Sequence, residues 1–187
     1  DALKRLLLPS IELDVRSELK RRADEEAIRV FAANLEHLLL SPPAGNMRVM
    51  GVDPGFRTGC KLVALSETGR LLEHGTIYPT KPKEQMEEAK KVVLDMITLW
   101  KVEAVAIGNG TASRETEAFF RQCVPKGIPV VVVNEAGASV YSASAEGREE
   151  FPDHDVTVRG SVSIGRRFQD PLSELVKIDP KSIGVGQ

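Results

Sequence analysis

The chain has 187 residues, 42% hydrophobic and 28% charged, with 25 Lys and Arg against 27 Asp and Glu for a net charge of −2. That length suits one domain plus an attachment, and that balance excludes a polycation, so any contact with nucleic acid has to come from a local patch. Two scattered cysteines, Cys60 and Cys123, lack zinc or disulfide spacing, and no apolar run approaches the roughly 18 residues of a membrane span. Free cysteines without a leader suit a reducing cytoplasm. The opening on Asp1 and the apolar close IGVGQ read as the ends of a fragment cut from a longer protein.

Residues 10–40 predict helix, with Ser10 as N-cap, no later Gly or Pro, and an apolar stripe of Ile28, Phe31, Leu35 and Leu38. A break near Ala23–Asp24 would divide it in two, and Lys20, Arg21 and Arg22 read as a solvated face. The stretch SPPAGN (41–46) ends the helix and reads as a linker, which places a domain boundary near residue 45.

Short strands follow. VMGVD, CKLVALSE (60–67) and RLLEHGTIY (70–78) predict an antiparallel meander that Pro79 and Pro82 stop. Residues 84–100 are helical, with Met86, Ala89, Val93, Ile97 and Trp100 on one face. The continuous apolar run VEAVAIG (102–108) reads as a central parallel strand. A helix carrying Phe119, Phe120 and Val124 leads to a fifth strand, IPVVVVN (128–134), and a helix over Ala138–Glu150. Asp170 begins a last helix, with Pro171 at its first position and Leu172, Leu175 and Val176 directed inward. The order β-β-β-α-β-α-β-α-α predicts an α/β fold: a ribonuclease-H-like mixed five-stranded sheet with flanking helices, preceded by a helical segment. Half of an actin-like or sugar-kinase ATPase has the same order, so order alone does not settle chemistry.

Three carboxylates occupy places where such a sheet does chemistry. Asp53 ends strand one before the glycine-rich turn PGFRTG, Glu135 follows strand five, and Asp170 caps the late helix. Acids converging at one sheet edge hold Mg²⁺ or Mn²⁺, and a metal pair about 4 Å apart activates water for phosphodiester hydrolysis. The competing readings are an Asx-turn for Asp53, a helix-start residue for Glu135 and an ordinary N-cap for Asp170. Residues 108–113 (GNGTAS) have the glycines and free helix N–H groups of an anion-binding corner. VTVRGSVSIGRRF (156–168) reads as a flexible basic stretch in which Arg159, Arg166 and Arg167 lie along a phosphate backbone and Phe168 stacks on a base. Arg57 and Lys61 would extend that surface, and a solvated loop is the alternative.

At GVDPGFRTGCK, AIGNGTASRETE, NEAGASVYSAS, VTVRGSVSIGRRFQDPL and ELVKIDPKSIGVGQ the chain resembles the Tex family of bacterial transcription accessory proteins, and DALKRLLLPSIE resembles that family's helical segment. The resemblance covers essentially the whole chain. It implies a YqgF/RuvC-type domain over 45–172, a helical segment over 1–44, and a helix end and linker over 173–187 leading to helix-hairpin-helix and OB-type RNA-binding elements. It also implies RNA or DNA as ligand and the transcription machinery as partner. Asp53, Glu135 and Asp170 match the family's first, second and third acids. Two departures stand out: Asn134-Glu135-Ala136 replaces an Asp-Glu-Arg triplet, and Gly108-Asn109 stands where resolvases of the RuvC type place a Glu. The expectation is a nucleic-acid-binding, nuclease-like module without strong catalysis, the alternative a metal-dependent nuclease using Asp53, Glu135 and Asp170. An ATPase half-domain is disfavoured, since no second D-x-G turn follows.

Overall fold

A computed structural model describes residues 1–80 and 84–184. Pro82 and residues 185–187 of the expected linker lie outside that range. Two compact units divide the chain, one built on Asp1–Leu38 and the other on Leu39–Ile183.

The first unit is a single rod. A π-helical turn, Leu3–Leu7, runs directly into α1 (Leu8–Leu39). Ser10 therefore lies inside the helix, and no break occurs at Ala23–Asp24. Ion pairs Lys20–Asp24 and Arg21–Glu25 span that point at i,i+4 spacing and knit adjacent turns together. The basic run is a solvated face, paired to Glu18, Asp24 and Glu25. Phe31, Leu35 and Leu38 are half-buried, whereas Ile28 is exposed.

The second unit has a five-stranded sheet of order β3-β2-β1-β4-β5. Its strands are β1 (Val49–Asp53), β2 (Cys60–Leu65), β3 (Leu71–Ile77), β4 (Ala104–Gly108) and β5 (Val130–Val133). The first three form the antiparallel meander, while β4 and β5 add in parallel, so the ribonuclease-H-like order expected from sequence is present. One face carries α2 (Met86–Trp100) and α3 (Ser113–Cys123), whose Ala89, Val93, Ile97, Phe119 and Phe120 bury against Met50, Val52, Leu62 and Ile107. That face is the larger core.

The other face holds the main departure from expectation. Residues 156–168 are not a flexible loop but lie in α6 (Val156–Gln169), most of which is buried. Asp155 caps it by accepting from the N–H groups of Thr157 and Val158. The small residues that read as loop let helix and sheet approach closely. A Cβ on Gly51 would lie 2.5 Å from the Ser161 carbonyl oxygen and 3.1 Å from the Gly165 Cα. Val158 and Val162 then pack on Val63 and Leu65, and Phe168 packs by Val49, Ala104 and Ala106 rather than waiting for a base.

The expected helix over Ala138–Glu150 is two short ones, α4 (Ala138–Ala143) and α5 (Ala145–Glu150), because Ser144 is extended and caps the second. In α7 (Pro171–Leu175), of the three residues expected to point inward only Leu175 is buried, beside Pro171 and Glu174; Leu172 and Val176 are exposed. The domain reaches beyond both expected bounds. Ala44 and Gly45 donate to the Phe168 and Gln169 carbonyls, and Ile178 and Ile183 are buried.

Candidate functional site

The parallel pairing of β1, β4 and β5 brings their C-terminal ends to one edge of the sheet. Asp53 ends β1 there, paired in register with Lys61 of β2. Glu135 stands two residues past β5, on the turn into α4. The two acids line one cavity of about 250 Å³, closed by Ser139 and Ser142 of α4 and by Thr157, Gly160 and Ile164 of α6.

Both acids are harder to ionise than in water. Burial, and then the Glu135 charge, push the Asp53 carboxyl up to about 6 against the opposing pull of Lys61. Burial likewise raises Glu135, opposed by the Gly110 N–H bonded to it and by the Arg167 charge. At the predicted anion corner, residues 108–113, the Gly110 N–H bonds this carboxyl group. A Cβ on Gly108 or Gly110 would collide with the Glu135 carboxylate oxygens, so the glycines form its seat. The Glu135 N–H donates to Asn109 Oδ1 (3.0 Å) and the Ala136 N–H to Asn134 Oδ1 (2.8 Å), which fixes the turn. Glu135 Oε2 is buried and has no hydrogen-bond partner among the described residues.

Asp170 does not join this pair. It follows Gly160 by ten residues along α6, roughly 15 Å at the rise of an α-helix. It is exposed, lines a different cavity, and accepts from the Ser173 N–H (3.0 Å) and hydroxyl (2.5 Å) as the N-cap of α7. Those bonds hold its carboxyl below the usual range. Among the described residues no group of three or more His, Cys, Asp or Glu is gathered closely enough to hold a metal ion. Among the described residues the three expected acids therefore do not form one cluster. Asp53 and Glu135, with the orphaned Oε2, fit a single hard cation such as Mg²⁺ or Mn²⁺ that keeps several waters. Such an ion would supply Lewis-acid polarisation of a phosphate oxygen.

The expected basic surface is mostly internal. Arg159, buried in α6, donates to the carbonyls of Ser142 (2.7 Å), Phe151 (3.3 Å) and His154 (2.9 Å). Arg166 pairs with Glu150, donates to the Gly69 carbonyl and lies over the Phe151 ring. Arg167 is buried and donates to the carbonyls of Asn134 and Ala136. In α6 Arg159 and Arg167 turn into the domain, where they bond carbonyls. Arg57 is exposed on the turn after β1, and Lys61 donates to the carbonyls of Thr58 and Gly59 beside it. Sequence reasoning missed Ser139, Thr157 and Gly160 as cavity residues. The signal was there: Asp155 as a cap, then Val158 and Val162 at helical spacing.

This sheet order, with two acids at the C-terminal edge of the parallel strands, defines a ribonuclease-H-like fold. A family model described as the Tex protein YqgF-like domain matches residues 47–169, and the chain belongs to that family. It is 56% identical over 190 residues to the uncharacterized protein YdcI of Bacillus subtilis, covering all of this chain and 26% of the relative. It is 49% identical over 183 residues to the transcriptional accessory protein Tex of Neisseria gonorrhoeae, covering 95% of this chain and 24% of that protein. The chain thus spans about a quarter of the length of these relatives. A Thermus thermophilus RuvC structure aligns with a TM-score of 0.46 at 17% identity, over 70% of this chain and 96% of that one. No helix of the described residues is long and apolar enough to cross a membrane.

Proposed function

We propose that this domain is a nucleic-acid-binding, nuclease-like module of a Tex-type transcription accessory protein, acting in the cytoplasm beside the transcription machinery and cleaving phosphodiesters weakly or not at all. One observation carries the reading: two acids, not three, face the cavity, and the helix opposite them presents Thr157, Gly160 and Ile164 where further metal ligands would be needed. RNA or DNA would approach from the Arg57 and Lys61 side, the cationic rim beside Asp53. The relative named a transcriptional accessory protein supports the cellular setting.

The orphaned Glu135 Oε2 favours a second reading, a single-ion phosphodiesterase built on Asp53 and Glu135 without Asp170. Labelled single-stranded RNA, duplex DNA and branched DNA, incubated with Mg²⁺ or Mn²⁺, decide between the two. Retention in a gel shift without cleavage supports the binding module. Cleavage that Asp53→Asn abolishes establishes the enzyme, and neither retention nor cleavage removes both.

A further inference from the structure

The resemblance placed an arginine beside the strand-five acid in related nucleases, and the sequence here has Ala136 instead. The structure supplies a cation to the same turn from another element. Arg167, two turns beyond Gly160 on α6, sends Nη1 to the Asn134 carbonyl (3.0 Å) and the Ala136 carbonyl (2.7 Å). Those two carbonyls flank Glu135 on either side. Arg167 is 3% exposed, so it is a buried cation, and the peptide groups it grips carry the one acid whose carboxylate reaches into the glycine seat.

We infer that Arg167 is the positioning residue of the cavity: it clamps the turn at Asn134 and Ala136 so that the Glu135 carboxylate stays in the Gly108–Gly110 seat facing Asp53. The assignment rests on the reading of Glu135 as a cavity ligand. Three features single Arg167 out among the cations of α6. Arg159 bonds carbonyls of α4 and of the segment before α6, and Arg166 pairs with Glu150, so neither touches the turn. Arg167 Nε and Nη2 are buried with no hydrogen-bond partner among the described residues, so carbonyl bonding uses only one end of its fork. Burial pulls its pKa down to about 10, opposed by the charges of Glu174 first and Glu135 second, and Glu174 is itself buried, with Oε1 unpartnered among the described residues. The guanidinium therefore feels both the buried acid of α7 and the acid of the cavity. A lysine at this place would keep a charge, but its ammonium ends one atom short of Nη1, the single nitrogen that holds both carbonyls.

The test uses this chain with Arg167→Lys and Arg167→Gln, beside Glu135→Gln and the Arg167→Lys/Glu135→Gln double variant. Amide exchange is read at Glu135 and Ala136, with Val105 and Ile107 as core controls. Faster exchange confined to Glu135 and Ala136 in Arg167→Lys is the expected result, and unchanged exchange there in a folded variant overturns the assignment. The second readout is Mn²⁺ affinity followed by paramagnetic broadening. Loss of a residue that orients a metal ligand weakens binding about 10-fold or more, so Arg167→Lys should show that loss and the Glu135→Gln background should erase the difference. An equal loss in both backgrounds makes Arg167 merely structural and overturns the proposal. If the unmodified chain binds no Mn²⁺, the metal reading of the cavity falls, while the exchange measurement still decides the role of Arg167.

Discussion

The Glu135 carboxylate occupies the space that a side chain on Gly108 would fill, so the acid and the glycine at neighbouring strand ends are a matched pair. Neither Gly108 nor Gly110 has a positive φ, so alanine meets no backbone strain there and the penalty is steric. Gly108→Ala should destabilise the domain by about 1–3 kcal/mol, the usual cost of overfilling a packed site. Glu135→Ala empties the seat. In urea unfolding the double variant should therefore be less destabilised than the sum of the singles, with a coupling of about 1 kcal/mol or more. Strict additivity would show that the glycine seat and the acid are independent.

Asp53 sets a pH dependence whose sign follows from burial. Its folded-state value of about 6 lies above the roughly 3.9 of an unfolded aspartate, so the folded chain holds the proton more tightly. Stability contributed by this group is present at low pH and declines as pH rises through that window, by on the order of 1–3 kcal/mol for a half-buried carboxyl. Asp53→Asn, which cannot ionise, should match the parent near about pH 4 and exceed it at about pH 8 by that amount. Unfolding curves at the two values check it, and a variant less stable at both would mean that the ionised form is the favoured one.

The buried arginines and the exposed rim make opposite predictions. Arg159→Met removes the donor to two buried carbonyls and one part-buried carbonyl and should cost about 2–4 kcal/mol of stability. It should leave the salt dependence of nucleic-acid binding unchanged, measured where the variant is fully folded. A shallower salt slope in that variant would mean that the side chain reaches phosphate after all.

Arg57→Ala should do the reverse. The residue is exposed on the turn after β1, so the fold should keep its stability. Removing one cation that neutralises a phosphate reduces the slope of log K against log salt by about 1, uniformly across sequences. An unchanged slope for both Arg57→Ala and Lys61→Ala would move the nucleic-acid surface away from this cavity.

Much of the fold was legible because its signals are local. The meander is written in alternation and turn residues, and VVVV at β5 has little choice but to extend. The meeting of Asp53 and Glu135 at one cavity was legible because strand ends are where an α/β sheet presents side chains. The basic stretch misled for a physical reason: Gly165 is small because α6 presses on β1 and β2, Ser161 and Ser163 are buried in the same helix, and the same composition without partners describes a loop. Asp170 misled because a capping aspartate before proline looks the same whether or not a metal lies nearby. Its distance from Asp53 is a property of where α6 crosses the sheet, which no local pattern records.

That crossing suggests a gain-of-function variant. A Cβ on Gly160 meets only Asp53 Oδ2, at 3.7 Å, and ordinary van der Waals contact leaves room for a longer side chain. Gly160→Asp would add a third carboxylate to the cavity from the helix face that now lacks one. Aspartate is no worse a helix former than glycine, so α6 should persist. Without metal the new acid adds like charge, and the variant should be less stable at neutral than at acid pH. With Mn²⁺ the order should invert, through tighter binding and a larger ligand-dependent rise in Tm than the parent shows. If the added acid tightens Mn²⁺ binding and also brings cleavage of labelled RNA or DNA, the missing third ligand was what kept this fold from catalysis. If binding tightens and no cleavage follows, the deficit lies in how the strand reaches the cavity, and the Arg57 rim is the place to look next.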